Sequence, residues 1–247
     1  MLGRLALVVL FLAVSGAAQA QSRFDGWASA VIAGDWRSTR GAPIQAFDNA
    51  QRDLAAAFVA AGFKPADMVS LTLRPDRAEP ITPQAAMAQV KAATARATKG
   101  CFFYLTSHGS PQGAVFGPNA TLTPIALGTL LQEACGSRPT VVVVSACFSG
   151  VFVPALAAPN RLVITAARRD RSSFGCSEDA TYPYFDGCIL QSLPTAGDFV
   201  ALANQARACV AEREKAENLE PPSEPQVSIG AQMQLLAPTL RFNRPTP

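Results

Sequence analysis

The stretch Val141 to Gly150 reads Val-Val-Val-Val-Ser-Ala-Cys-Phe-Ser-Gly, four β-branched apolar residues that run into Cys147. A run this uniformly apolar, bounded by glycine, is the pattern of a strand buried on both faces, as in a parallel sheet covered by helices. A second such run, Phe102 to Gly109 or Phe-Phe-Tyr-Leu-Thr-Ser-His-Gly, stops at His108. In open α/β sheets, reactive groups gather beyond the carboxyl ends of the strands, where side chains leave the packed layer and backbone amides come free. A thiol and the chain's single histidine are both placed there.

Working outward, Trp27 to Ala33 reads as the first strand, closed by Gly34 and Asp35. Phe47, Ala50, Leu54, Phe58 and Ala61 recur at helical spacing and stop at Gly62, and Asp67 to Leu73 follows as a second strand. Thr82-Pro83 and Thr123-Pro124 each announce a helix, with a capping hydroxyl followed by proline in the first turn. The His108 strand follows the first of these helices and the Cys147 strand the second, and Gly113 to Gly117 belongs to a small hairpin between them. Leu162 to Ala166 is a further strand, Arg168 to Gly187 a long surface loop, and Asp198 caps a helix burying Phe199, Leu202, Ala206 and Cys209. Glu212 to Pro225 reads as a solvated connector and Gln226 to Gly230 as a last strand. Strands alternating with helices predict a mostly parallel sheet with helices on both faces, and right-handed crossovers put Asp35, His108 and Cys147 along one edge.

The first residues carry Arg4, the apolar run Leu5 to Val14 and a small-residue Ala-Gln-Ala close at 18–20. This is the pattern of a secretory signal peptide over residues 1–20, with residues 21–247 expected as one exported domain, periplasmic or secreted. No cysteine follows the cleavage point to carry a lipid anchor, and no later apolar stretch is long enough to span a membrane. A formal charge of +3 across 247 residues gives no reason to expect nucleic acid as a partner. The six cysteines match no zinc spacing, and one histidine makes a mixed metal site less expected still, so no metal or cofactor is expected. If Cys147 is a free thiol, at least one more cysteine must also be unpaired; Cys176 and Cys188, flanking the loop, are the first pair to test.

A cysteine becomes a useful nucleophile when its thiolate is accessible and a neighbouring base assists it. One hairpin, one helix and one strand separate His108 from Cys147, which lets them meet as neighbouring strand ends. The amides of Gly109 and Cys147 can then face the oxyanion of a tetrahedral intermediate. Serine chemistry is the nearest rival, but neither Ser110 nor Ser149 lies in a G-x-S-x-G elbow.

At these residues the chain resembles the legumain-like cysteine peptidases, relatives of the caspases and of the GPI transamidase catalytic subunit. The matching blocks are Tyr104 to Ser110, Val144 to Gly150, Val163 to Ala167 and Ser172 to Cys176, in the family's order. The resemblance implies a caspase-like three-layer αβα sandwich, with His108 and Cys147 as the dyad and Gly109 and Cys147 as the oxyanion hole. It further implies Asp35 as the residue that orients the histidine, and Ser145, Ser173, Arg40 and Asp186 as substrate-binding positions. Legumains carry an acid where this chain has Ser145 and an aspartate where it has Ser107, which puts asparagine preference and ligase activity in question. The expected activity is an exported cysteine endopeptidase acting on peptide or protein substrates through a thioester. The alternative is a non-catalytic caspase-fold module that binds peptide or protein.

Overall fold

The computed structural model describes residues 22–243, so the expected signal peptide at 1–20 lies outside the described residues. In chain order the elements are β1 (Trp27–Ala33), α1 (Ala46–Ala60), β2 (Met68–Thr72), α2 (Pro83–Arg96), β3 (Gly100–Thr106), β4 (Gly109–Ser110), β5 (Gly113–Val115) and β6 (Thr121–Leu122). There follow α3 (Pro124–Cys135), β7 (Thr140–Ser145), α4 (Val153–Leu156), β8 (Arg161–Thr165), α5 (Tyr184–Ser192), α6 (Phe199–Ala216), β9 (Gln226–Ile229) and α7 (Ala231–Leu236). Six strands form one sheet in the order β2-β1-β3-β7-β8-β9, and β4, β5 and β6 form a small second sheet. All pairings in the large sheet are parallel except that of β9 with β8.

Strict alternation of apolar side chains builds the sandwich. Phe102, Tyr104, Val141 and Val143 point to one face, where they meet Leu54 and Phe58 of α1, Phe185 and Ile189 of α5 and Phe199 and Leu202 of α6. Phe103, Leu105, Val142 and Val144 point to the other, against Val90 of α2, Leu127 and Leu131 of α3 and Leu156 of α4. Each side chain of this size is worth roughly 1.5–3 kcal/mol when fully buried. The two clusters therefore hold the layers together more than helix propensity does. The threonine caps act as read: Thr82 accepts from the Ala85 amide and Thr123 from the Ala126 amide. The chain turns one way from β1 to β2 and the other way from β3 onward, so the sheet reverses direction between β1 and β3, and crevices form at such points.

Three sequence expectations give way. The loop predicted for Arg168 to Gly187 ends early, because α5 begins at Tyr184. Its apolar stripe of Phe185, Cys188 and Ile189 is short and interrupted by Asp186 and Gly187, which hid the helical period. The connector predicted from Glu212 is helical to Ala216, and Glu214 is buried because both its carboxylate oxygens accept from the Ser223 amide, at 3.2 and 3.1 Å. The cysteines pair as Cys101–Cys135, joining β3 to α3, and Cys188–Cys209, joining α5 to α6. Cys188 thus goes to its helical neighbour, and Cys176 stays free with Cys147. Closing loops of this length stabilises by about 3 kcal/mol per bridge in the chain-entropy account.

Candidate active site

The register of the sheet sets three chain ends level. Ala33 of β1 is paired with Thr106 of β3, and Thr106 with Ser145 of β7. Asp35, His108 and Cys147 each follow two residues beyond these matched positions, on strands spaced about 4.8 Å apart.

The His108 side is pinned before and after the ring. The Ser107 amide donates to Ser145 O at 3.0 Å, and the Ser107 hydroxyl to Val115 O at 2.7 Å. The His108 carbonyl accepts from the Val115 amide at 2.9 Å. Because that bond makes His108 and Val115 a hydrogen-bonded antiparallel pair, the next pair, Gly109 and Ala114, is of the other kind, and the Gly109 N–H points away from β5. Glycine is required here for space: a Cβ at 109 would lie 2.2 Å from the Cys147 carbonyl oxygen and 2.9 Å from the Ala146 Cβ.

The imidazole is fixed by two contacts. Phe47 meets the ring edge to face, with centroids 5.0 Å apart. His108 Nε2 lies 2.8 Å from the carbonyl oxygen of Arg37. A carbonyl can only accept, so Nε2 carries the proton and Nδ1 holds the lone pair of the neutral ring. Asp35, expected to orient the histidine, spends its carboxylate on the segment that supplies this carbonyl. It accepts from the Trp36 amide at 2.8 Å, the Arg37 amide at 3.3 Å, and Arg37 Nε and Nη2 at 2.8 and 3.3 Å. The Arg37 guanidinium also lies over the Trp36 ring, 4.6 Å from its centroid. The link from Asp35 to His108 therefore runs through Arg37, a residue that sequence reasoning missed although Asp35-Trp-Arg37 carries both charges two residues apart.

Cys147 is half-buried, and its sulfur lies near three polar atoms of one residue. The Ser173 amide donates to Sγ at 3.3 Å, the thiol donates to the Ser173 carbonyl at 3.4 Å, and the Ser173 hydroxyl lies 3.5 Å away. The turn after the cysteine is tight. Phe148 adopts φ 57°, a left-handed conformation that costs a non-glycine residue roughly 1–2 kcal/mol. The surroundings hold it there: its amide donates to Arg171 O at 2.8 Å, and the Ser149 hydroxyl accepts from the buried Ala167 amide at 3.0 Å. At Gly150 a Cβ would come within 2.4 Å of the Arg169 nitrogen, so the Cys-Phe-Ser-Gly sequence matches the close passage of the chain after β8.

Two of the expected substrate-binding residues sit beneath this surface. Asp186 is fully buried and accepts from the Tyr104 hydroxyl at 2.6 Å and from the hydroxyls of Thr106 and Ser145. Burial pushes its carboxyl up to about 6, and the three hydroxyls hold it from rising further. Ser145, 3% exposed, faces this carboxylate. Arg40 stands apart, its side chain 82% exposed and paired with Glu178 at 3.5 Å. Among the expected residues the structure thus sets His108 and Cys147 level beyond neighbouring strands, packs Gly109 against Cys147 and Ser173 against its sulfur, buries Ser145 and Asp186 together, and leaves Arg40 at the surface. Cys176, expected in a disulfide, packs instead against Ala33, Ile44, Ala46 and Phe47, the residue that touches His108. Burial chiefly, then the charge of Cys147, pushes the Cys176 thiol up. Among the described residues no group of three or more His, Cys, Asp or Glu is placed to hold a metal ion. No helix among them is long and apolar enough to cross a membrane.

Comparison with known proteins bears on the fold and on the sequence of part of the chain. Caspase-1 from Spodoptera frugiperda is similar in structure, with a TM-score of 0.60 at 12% identity over 85% of this chain and 87% of that one. At that identity the likeness shows the fold alone. No curated protein matches the chain. The model of the Peptidase C13 family, whose members are cysteine peptidases, matches residues 82–193. From the cap of α2 to the end of α5, a span that includes His108, Cys147, Ser173 and Asp186, the chain carries the Peptidase C13 pattern on a caspase-like α/β fold.

Proposed function

We propose that this protein is an exported cysteine endopeptidase in which His108 and Cys147 form the catalytic dyad. The observation that carries the reading is the bond from His108 Nε2 to the Arg37 carbonyl, which leaves Nδ1 as the basic nitrogen on a ring held level with Cys147. Nδ1 takes the Cys147 proton, and the thiolate adds to the carbonyl carbon of a peptide bond. The resulting oxyanion is met by the amides of Gly109 and Cys147. The imidazolium then returns its proton to the departing amine, leaving a thioester that water hydrolyses with His108 again acting as base. Ser173 must move from the sulfur as substrate arrives, and its amide is then free to bond the substrate backbone. Export is supported by the leader pattern over residues 1–20 and by two disulfides in residues 21–247, which we read as one domain.

The contact of three Ser173 atoms with Sγ also suits the second reading, a non-catalytic module that binds peptide or protein with the thiol engaged by the protein itself. A peptide-library cleavage assay on the purified protein separates the two. The peptidase hydrolyses library members and loses that activity in Cys147→Ala, with an unchanged circular dichroism spectrum. Cleavage undiminished in Cys147→Ala would overturn the dyad, and a wild type that captures peptides without cleaving any would establish the module.

A further inference from the structure

Arg161 opens β8 and is paired with Thr140 at the amino-terminal ends of the strands, the opposite edge of the sheet from Cys147. It is 5% exposed, yet its guanidinium has only neutral partners: the Leu156 carbonyl at 3.3 Å from Nη1 and the Gln132 side-chain oxygen at 3.2 Å from Nη2. Its Nε has no hydrogen-bond partner among the described residues. Among the described residues the other arginine buried to this degree is Arg74, 6% exposed, and there the fold supplies carboxylates: Asp48 at 2.8 Å and Asp76 at 3.4 Å. A buried charge left without a counterion is costly, and proteins otherwise pair it. Desolvation pulls the Arg161 guanidinium down with no acid acting to oppose it.

Arg161 is also not sealed in. It lines a groove of about 470 Å³ between α3 and α4, together with Ile125, Thr129, Gln132 and Glu133. Glu133 is the one acid there, and its carboxylate is taken up by Lys91 at 2.7 Å. Ile125 is a large apolar side chain left 77% exposed at the same groove. The groove thus offers a cation lacking an anion beside an apolar surface lacking a cover.

We propose that this groove binds a small ligand with a carboxylate head and an apolar body, the carboxylate on the Arg161 guanidinium and the body against Ile125. Charge-assisted hydrogen bonds in such a setting are the strong kind, and an apolar contact beside them selects the ligand's body. The test is isothermal titration calorimetry of the purified protein with N-acetyl-leucine, with its neutral amide N-acetyl-leucinamide and with inorganic phosphate. N-acetyl-leucine should bind at least about tenfold more tightly than either of the others, and Arg161→Gln should weaken it by at least about tenfold. Because a variant at a buried arginine can fail to fold, Ile125→Asp, at an exposed position, provides a second arm and should weaken the acid by repulsion and lost contact. Equal binding of the acid and the amide, binding of phosphate as tight as that of the acid, undiminished binding in Ile125→Asp, or no binding of N-acetyl-leucine at millimolar concentration would each overturn the assignment.

Discussion

Cys147 and Cys176 are the two thiols left free when the other four cysteines pair. Their settings differ in kind. Cys147 lies two residues beyond β7, level with His108, and has an amide, a carbonyl and a hydroxyl of Ser173 near its sulfur. Cys176, three residues past Ser173, rests on Ala33, Ile44, Ala46 and Phe47, and burial pushes its thiol up. The contrast teaches that one residue type meets two environments in one fold: hydrogen-bonding groups of Ser173 at the Cys147 sulfur, apolar packing around Cys176.

The strongest way to break the contrast is His108→Ala. Loss of the base should cut peptide hydrolysis by about 10²–10⁴-fold and bring iodoacetamide labelling of Cys147 down toward that of Cys176. Steady-state kinetics and peptide mapping of the labelled protein check both, and a Cys147 that labels as before would remove the histidine from the account. In the wild type, the same labelling should modify Cys147 at least about tenfold faster than Cys176; the reverse order would exchange their roles.

A smaller effect sharpens the Cys147 side. Asp35→Asn weakens the hold on Arg37 and so loosens the carbonyl that fixes His108. It should lower kcat by about tenfold with KM little changed and shift the acid limb of the pH profile, whereas a purely structural role would move only thermal stability. Asp186 bears on stability rather than on turnover. Its folded carboxyl is raised to about 6 from an ordinary 3.8, so the folded state holds the proton more tightly than the unfolded one. The contribution of Asp186 to stability is therefore full below about pH 4 and is lost as pH rises to about 6, a change on the order of 3 kcal/mol. Urea melts at several pH values should show the wild type losing stability relative to Asp186→Asn across that window and holding a constant difference above it; a flat difference throughout would refute the protonated carboxyl. Cys176→Ala should change hydrolysis least, within a few-fold, since alanine keeps the apolar contact.

Much of this architecture was legible in the residues. The strands at Trp27, Phe102 and Val141 declare themselves by unbroken apolar runs, and α2 and α3 by a capping threonine before proline. The placement of His108 and Cys147 at strand ends follows directly from where those runs stop. Helix α5 was not legible, because nine residues with Asp186 and Gly187 inside them carry too little of a helical period. Nor was the role of Arg37, since the bond from His108 crosses 71 positions of chain.

The sequence by itself thus determined the strands of the large sheet, the longer helices that cover it and the edge on which the thiol and imidazole emerge, because caps, periods and strand ends are local properties of the chain. Only the tertiary structure decided which cysteines pair, that His108 bonds the Arg37 carbonyl, that Asp186 and Ser145 face each other beneath the strand ends, and that Arg161 is buried without an acid. Each of these depends on which distant segments come within about 3 Å, and that distance is set by the packing of whole layers rather than by any neighbouring residue.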